Sequence, residues 1–397
     1  MRLLIVGGGH ASLPLLAAAG GLDAEVTLLS DRPDLWYSGM TPEWLGGVYS
    51  RADVTVPLDR VCRRQGVRFV RDRAVALDRA AREVETASGE RLGYDLAAVD
   101  VGAVNPGAAG GAIHTKPLHW IEALGAFLDE AARDGGGAGR RLVVVGGGAA
   151  GVECALNVTA RPDLPALDVQ VLEPGDRLVA AAPARMGRWC ARALRERGAR
   201  VRFGVRVAEG GADGVRLADG SRLGADAVLW ATGSVGAGWL GASGLQTTAQ
   251  GFVRVDRTLR SVDDPRVFVA GDAAAVAGHE GLARIGVHAV KQGPTLRDNV
   301  SRAVRAVAGG AAPGAVELED WRPYPIAPYV VSTGRGQAWY IAGRLAVRGR
   351  TFLRLKHGVD RRWIDRYREP DTYDRHWDDR AAARGPAVSP RPAPARG

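Results

Sequence analysis

Residues 142–153 read Leu142-Val143-Val144-Val145-Gly146-Gly147-Gly148-Ala149-Ala150-Gly151-Val152-Glu153. A short apolar run rich in β-branched residues suits a strand buried on both faces. Gly146-x-Gly148-x-x-Gly151 then turns the chain into a small-residue stretch predicted helical to Leu156. The spacing has a mechanical reason. The first glycine makes the tight turn, the second lets the backbone approach a diphosphate, and the third lets the helix close on the strand. The helix start offers unpaired N–H groups and the positive end of its dipole to that diphosphate. A second apolar run, Val169-Gln170-Val171-Leu172, completes a βαβ unit and ends on Glu173. A carboxylate there accepts the ribose hydroxyls and repels a 2′-phosphate, which favours NADH over NADPH. Arg177, four residues on, is the nearby cation that would suit the phosphorylated form.

The same grammar stands at the start of the chain. Leu3 to Val6 is an apolar strand, Gly7-x-Gly9-x-x-Ser12 turns it, His10 to Ala19 is predicted helical, and Glu25 to Leu29 is the next strand. Ser12 replaces the third glycine and is small enough for close helix–strand packing. The ribose-binding position falls on Ser30, with Asp31 one step later, and either side chain suits the role. Such duplication of a nucleotide-binding unit organises the whole fold. Each unit is followed by short alternating strands: 67–70, 74–77 and 83–86 with a turn at Ala87 to Glu90, then 201–203, 205–208, 215–217 and 227–230 with a turn at Asp219-Gly220. The fold class is therefore α/β, with two Rossmann-like three-layer dinucleotide-binding domains carrying β-meanders and a small α+β C-terminal segment. The expected boundaries are a discontinuous first domain, 1–112 with 252–318, around a second at 113–251. A C-terminal segment, 319–380, and a disordered tail, 381–397, follow. Gly135 to Gly139 reads as a linker.

A chain of 397 residues accommodates two or three domains. Its formal charge of +9 comes mostly from Arg interleaved with Asp and Glu, and the densest basic run, Arg344 to Arg368, is confined to the C-terminal part. That distribution argues against a nucleic-acid partner and for dinucleotide phosphates or an anionic membrane surface. Cys62, Cys154 and Cys190 stand singly, which excludes a Cys-x-x-Cys dithiol or a zinc site. No apolar run approaches the length of a membrane span. The glycine triplet interrupts any signal-peptide core, so the expected location is cytoplasmic.

Two further signatures turn a pair of nucleotide sites into a flavoenzyme. Val267-Phe268-Val269-Ala270-Gly271-Asp272 is a buried strand ending in Gly-Asp, and Ala231-Thr232-Gly233 ends another; Val101-Gly102-Ala103 ends a similar strand with the Thr replaced. The order of these motifs resembles the two-dinucleotide-binding-domain flavoproteins of the pyridine nucleotide-disulfide oxidoreductase superfamily. Within it the chain looks most like the type II NADH dehydrogenases and a related oxidoreductase domain found with selenide, water dikinase. The resemblance covers residues 1 to about 380.

The resemblance implies FAD in the first unit and NAD(H) in the second. By it, Gly7, Gly8, Gly9, His10 and Ala11 cradle the FAD diphosphate, and Val75 lies beside the adenine. Gly102, Gly271 and Asp272 line the cofactor, with Asp272 on the ribityl chain, and the helix starting near Gly286 to Ala289 points at the flavin. Gly146, Gly148, Ala149, Gly151, Glu153, Glu173 and Gly233 hold NADH. Lys116 resembles a lysine placed near the flavin in some relatives. The departures are as informative. The segment 36–50 has no cysteine pair, so the disulfide-reducing branch is excluded. A quinone motif rich in Gln falls on Val287-His288-Ala289-Val290-Lys291-Gln292, where Val287 and Lys291 replace the glutamines. His288 and Lys291, with Lys116, are the candidate catalytic side chains. Phe352, Leu355, Val359, Trp363 and Tyr367 recur at near-helical spacing among Arg and Lys, which suits a helix that caps the first domain, forms a homodimer or lies on a membrane. The expected activity is transfer of electrons from NADH through FAD to a quinone or other small acceptor. Two alternatives keep the fold: a nucleotide-binding redox sensor, and a reductase of a protein electron carrier.

Overall fold

The computed structural model describes residues 1–107 and 110–368. The chain starts with β1 (Arg2–Val6), α1 (Leu13–Ala17) and β2 (Glu25–Leu29), then α2 (Thr41–Leu45), α3 (Leu58–Gln65), β3 (Arg68–Val70) and β4 (Leu96–Val99). It continues through β5 (Ile113–His114), β6 (Arg141–Val145), α4 (Ala149–Val158), β7 (Asp168–Glu173), β8 (Arg200–Phe203) and β9 (Ala227–Trp230). The last elements are β10 (Val267–Val269), α5 (Gly286–Ala308), β11 (Tyr329–Ser332), β12 (Ala338–Ala342), β13 (Leu345–Gly349) and α6 (Arg350–Arg368).

Two five-stranded parallel sheets result, with the orders β10-β4-β1-β2-β3 and β5-β9-β6-β7-β8. Each sheet takes its edge strand from across a crossover. β10 returns from late in the chain to the first sheet, and β5 precedes the second βαβ unit. An antiparallel meander accompanies each sheet, Ala74–Asp78 with Glu83–Thr86 and Arg91–Gly93 in one half, Val207–Gly211 with Gly214–Leu217 and Arg222–Gly224 in the other. The central strands are apolar because both faces are covered, in the second sheet by helices on one side (Leu124, Leu128) and by the meander on the other (Val215, Leu217): Leu3, Leu4, Ile5 and Val6 are at most 1% exposed, and Leu142, Val143 and Val144 are fully buried.

The first helix is shorter than its composition suggests. Regular α1 begins at Leu13, because the backbone of residues 8–12 is spent on the turn. Of the C-terminal segment, residues 319–368 are described: a three-stranded sheet, β11-β12-β13, and α6. The expected tail, 381–397, lies outside the described residues. No helix among the described residues is long and apolar enough to cross a membrane.

Candidate functional site

At the end of β1, Gly7 takes φ +90°, and its N–H donates to Leu29 O at 2.8 Å. A Cβ there would lie 2.4 Å from Asp100 O, so only glycine lets the turn pass the end of β4. The N–H groups of Gly8, Gly9 and His10 have no hydrogen-bond partner among the described residues. Those of Ala11 and Ser12 both donate to Asp100 Oδ2 at 2.8 Å. Ser12 Oγ donates to Gly7 O at 2.9 Å, so the hydroxyl in the third-glycine position ties the turn to the helix. Burial pushes Asp100 up to about 7; the N–H bonds from Ser12 and Ala11 pull the other way, and the charge of Asp272 adds to the rise.

The second turn is built on the same plan. Gly146 has φ +111°, and a Cβ on it would lie 2.5 Å from Ala231 O. Gly151 allows the close approach expected of it, since a Cβ would sit 2.3 Å from Gly146 O. The N–H groups of Gly148, Ala149, Ala150 and Gly151 are open among the described residues, and no side chain caps α4. A Cβ on Gly148 would meet nothing within 4 Å. Glu173 ends β7 with both oxygens on backbone N–H groups, Gly147 at 2.8 Å and Gly175 at 2.7 Å. Carboxylate oxygens accept more than one bond, so the ribose-facing capacity expected of Glu173 remains. Arg177 is engaged locally, donating to Ala180 O at 2.6 Å. Gly233 faces open space beside Thr232, whose buried hydroxyl has no partner among the described residues.

Between the turns, Gly271 (φ +67°) and Asp272 follow β10. Lys116 Nζ donates to Asp272 at 2.7 Å and to Arg284 O at 2.9 Å, bringing together two residues expected at the cofactor. Gln292, on α5, accepts the Gly271 N–H at 2.6 Å. The start of α5 carries no side-chain cap, and Gly286 meets Ser38 so closely that a Cβ would lie 2.5 Å from its hydroxyl. His10 Nε2 accepts the Ser38 N–H at 3.2 Å, and burial lowers His10 to about 4 despite the charge of Asp272, so the ring is neutral. A small cavity next to Asp272 is lined by His288, Ala289, Gln292 and Trp321, and buried His288 Nδ1 and Trp321 Nε1 have no partner there. Burial also lowers His288. Lys291 sits 3.9 Å over the Tyr324 ring, a cation–π contact with the C-terminal segment. Ser30 bonds within its own loop, to Arg32, while Asp31 is exposed. Val75 is half-buried on the meander strand, and Gly102 takes φ +71° beside open space.

The C-terminal helix adds a group that sequence reasoning missed. Lys356 on α6 pairs with Glu43 of α2 and, at 2.8 Å, with Asp360, and donates to Gly39 O. His357 lies 2.6 Å from Glu43, and Tyr37 donates to Asp360 at 3.1 Å. Burial alone would raise Glu43, but Lys356 and the His357 bond hold it below the usual carboxylate value. Glu153, on α4, accepts the Ser332 N–H at 2.7 Å; burial pushes it up to about 7 against the attraction of Lys356. Trp363 stacks on Tyr37 with centroids 4.4 Å apart and on His10 at 5.5 Å. The apolar stripe of α6 is thus only partly its packing face. Leu355 and Val359 are 53% and 58% exposed, while Lys356, His357 and Asp360 are each 7% exposed, because the face of α2 opposite them carries a buried carboxylate that needs a cation. The i, i+4 pair Lys356 and Asp360 was visible as a helical spacing; nothing local marked Glu43. Asp100 was visible as a lone carboxylate closing a strand otherwise buried throughout.

The sequence profile of the pyridine nucleotide-disulphide oxidoreductases matches residues 1–308. An NADH dehydrogenase-like protein of Mycobacterium tuberculosis is 28% identical over 305 residues, 69% of this chain and 73% of that protein. A sulfide-quinone reductase of Aquifex aeolicus is 28% identical over 103 residues, so that match spans only 24% of its length and 25% of this chain. Among solved structures, NDH2 of Plasmodium falciparum in complex with NADH superposes with a TM-score of 0.73 at 12% identity, over 94% of this chain and 98% of that one.

Proposed function

The chain belongs to the pyridine nucleotide-disulphide oxidoreductase family, and on that premise we propose that it is an FAD-dependent NADH oxidoreductase passing electrons to a quinone or another small acceptor. The observation that carries the reading is the pair of glycine turns, each with open backbone donors at the C-terminal end of a parallel sheet. In the second turn, Gly148 to Gly151 would bind the NADH diphosphate, and Glu173, with Arg177 engaged by Ala180 O, would take the ribose hydroxyls and disfavour a 2′-phosphate. In the first turn the open N–H groups of Gly8, Gly9 and His10 fit a diphosphate, and Asp272, fixed by Lys116, would accept from the FAD polyol. The uncapped start of α5 would face the ring with its N–H groups. FAD, when bound, supplies the carrier that takes two electrons from a nicotinamide and gives them to an acceptor.

The protein's own part is to bind, orient and handle protons. The three cysteines are free and buried, with Cys62 pushed up to about 11 by burial, so thiol chemistry has no reactive side chain here. Protonatable groups gather instead beneath α6, where Glu153, Lys356, Glu43, His357, Asp360 and Tyr37 are linked by hydrogen bonds or near charges. They would store the proton that a reduced quinone needs. Leu355 and Val359, exposed on α6 beside Arg354, suit contact with a bilayer surface from which a quinone is drawn.

Purified protein should be yellow with bound FAD and should oxidise NADH faster when a soluble quinone is added. Folded protein that neither carries nor accepts FAD would overturn the reading. FAD reduced by NADH but reoxidised no faster by quinones than by buffer would overturn the choice of acceptor.

A further inference from the structure

The two turns match position for position, Gly7, Gly8, Gly9 and Ser12 against Gly146, Gly147, Gly148 and Gly151, and each is backed by a strand end, Asp100 in one and Ala231 in the other. They differ at the place that matters for an anion. The second glycine of such a turn lacks a side chain so that a diphosphate can reach the backbone. Beside Gly148 that space is open. Beside Gly9 it holds the Asp100 carboxyl, all three atoms of which lie 2.4–2.5 Å from where a Cβ would be. Its Oδ2 takes the Ala11 and Ser12 N–H groups at the helix start, and its Oδ1 is 2.3 Å from where a Cβ on Gly271 would stand. The carboxyl therefore touches both turns between which a dinucleotide backbone has to pass.

We propose that Asp100 borders, in the first turn, the space that the second leaves open to a diphosphate, and that seating the FAD diphosphate against it takes up a proton at Asp100. The inference rests on the reading of the first turn as an FAD site. Two anions cannot share a buried space unless one is neutralised. Few groups nearby compete for the role. From the turn after β10 comes Asp272, already paired with Lys116; from the glycine turn comes His10, held neutral; α5 presents the uncharged Gln292 and Ala289, and β1 and β4 are apolar. Asp100 stands near 7 before any phosphate charge is added, and that charge raises it further. The sign follows. A group that holds its proton more tightly in the loaded protein leaves FAD affinity flat below the lower of its two pKa values, and weakens it above by up to about tenfold per pH unit.

Deflavinated protein titrated with FAD by flavin fluorescence, from about pH 6 to about pH 9, tests this directly. The wild type should bind with a flat Kd up to about pH 7 and progressively weaker above it, and calorimetry near pH 8 in buffers of different protonation enthalpy should read close to one proton taken up. Asp100→Asn keeps an oxygen for the Ala11 and Ser12 N–H groups and removes the titration, so its Kd should not follow pH and its proton uptake should vanish. FAD binding by the wild type without proton uptake, or the same slope in the Asn variant, overturns the proposal. If the Asn variant fails to fold, the wild-type proton count decides alone. No FAD binding at any pH would instead overturn the functional reading.

Discussion

In the first half of the molecule the helix N–H groups of Ala11 and Ser12 end on Asp100, and the Ser12 hydroxyl stitches the turn to the helix; in the second, Gly148 to Gly151 keep theirs open and Gly151 packs backbone on backbone. The halves are also finished differently by the C-terminal segment. α6 reaches α2 of the first half through buried ions, whereas β11 meets α4 of the second through backbone and amide bonds, Ser332 to Glu153 and Asn157 to Ser332 at 2.8 Å. The same βαβ device thus carries its carboxylate in one half on the helix-start N–H groups, at Asp100, and in the other on the loop N–H groups of Gly147 and Gly175, at Glu173.

The largest effect should come from the buried ions. Lys356→Met leaves Glu43 with only the His357 bond and Asp360 with only the Tyr37 hydroxyl, and should cost about 3–5 kcal/mol of stability, read by denaturant unfolding. A variant as stable as wild type would mean the first half does not depend on that cation. Exchanging the third positions of the turns probes the comparison itself. Gly151→Ser drives a Cβ into Gly146 O, and at about 1–3 kcal/mol of overpacking it should cripple NADH-driven reduction while FAD stays bound. Ser12→Gly loses only hydroxyl bonds, about 1 kcal/mol, and should leave NADH use intact. Equal outcomes for the two would break the distinction between the halves.

Glu173→Arg should shift preference from NADH toward NADPH by about 1–3 kcal/mol, measured as the ratio of stopped-flow reduction rates at limiting nucleotide. An unchanged ratio would remove Glu173 from the ribose site. The smallest effect is expected at Lys291, whose contact with Tyr324 is worth about 0.5–1 kcal/mol at an exposed site. Lys291→Ala should slow reoxidation of the reduced protein a fewfold and leave reduction by NADH untouched. Identical rates in both half-reactions would point instead to an acceptor pocket at His288 and Trp321, whose buried Nδ1 and Nε1 have no partner among the described residues.

From sequence alone came the features that are local: two apolar strands entering glycine turns, the strand-end Glu173, the Gly271-Asp272 strand and the meanders, each written in consecutive residues or a period of two. Those patterns decide the duplicated α/β architecture, because a buried parallel strand and a tight turn constrain the very residues that form them. Only the tertiary structure decided what the turns contain. Asp100 meets Ser12 across 88 residues of chain and Lys356 meets Glu43 across 313, and no spacing encodes such partners. The same holds for α6, whose apolar stripe suggested the packing face until its position against α2 turned Lys356 and Asp360 inward and left Leu355 and Val359 outside. A helix shows its own periodicity in its sequence, but which face is buried depends on the charge already waiting on the surface it meets.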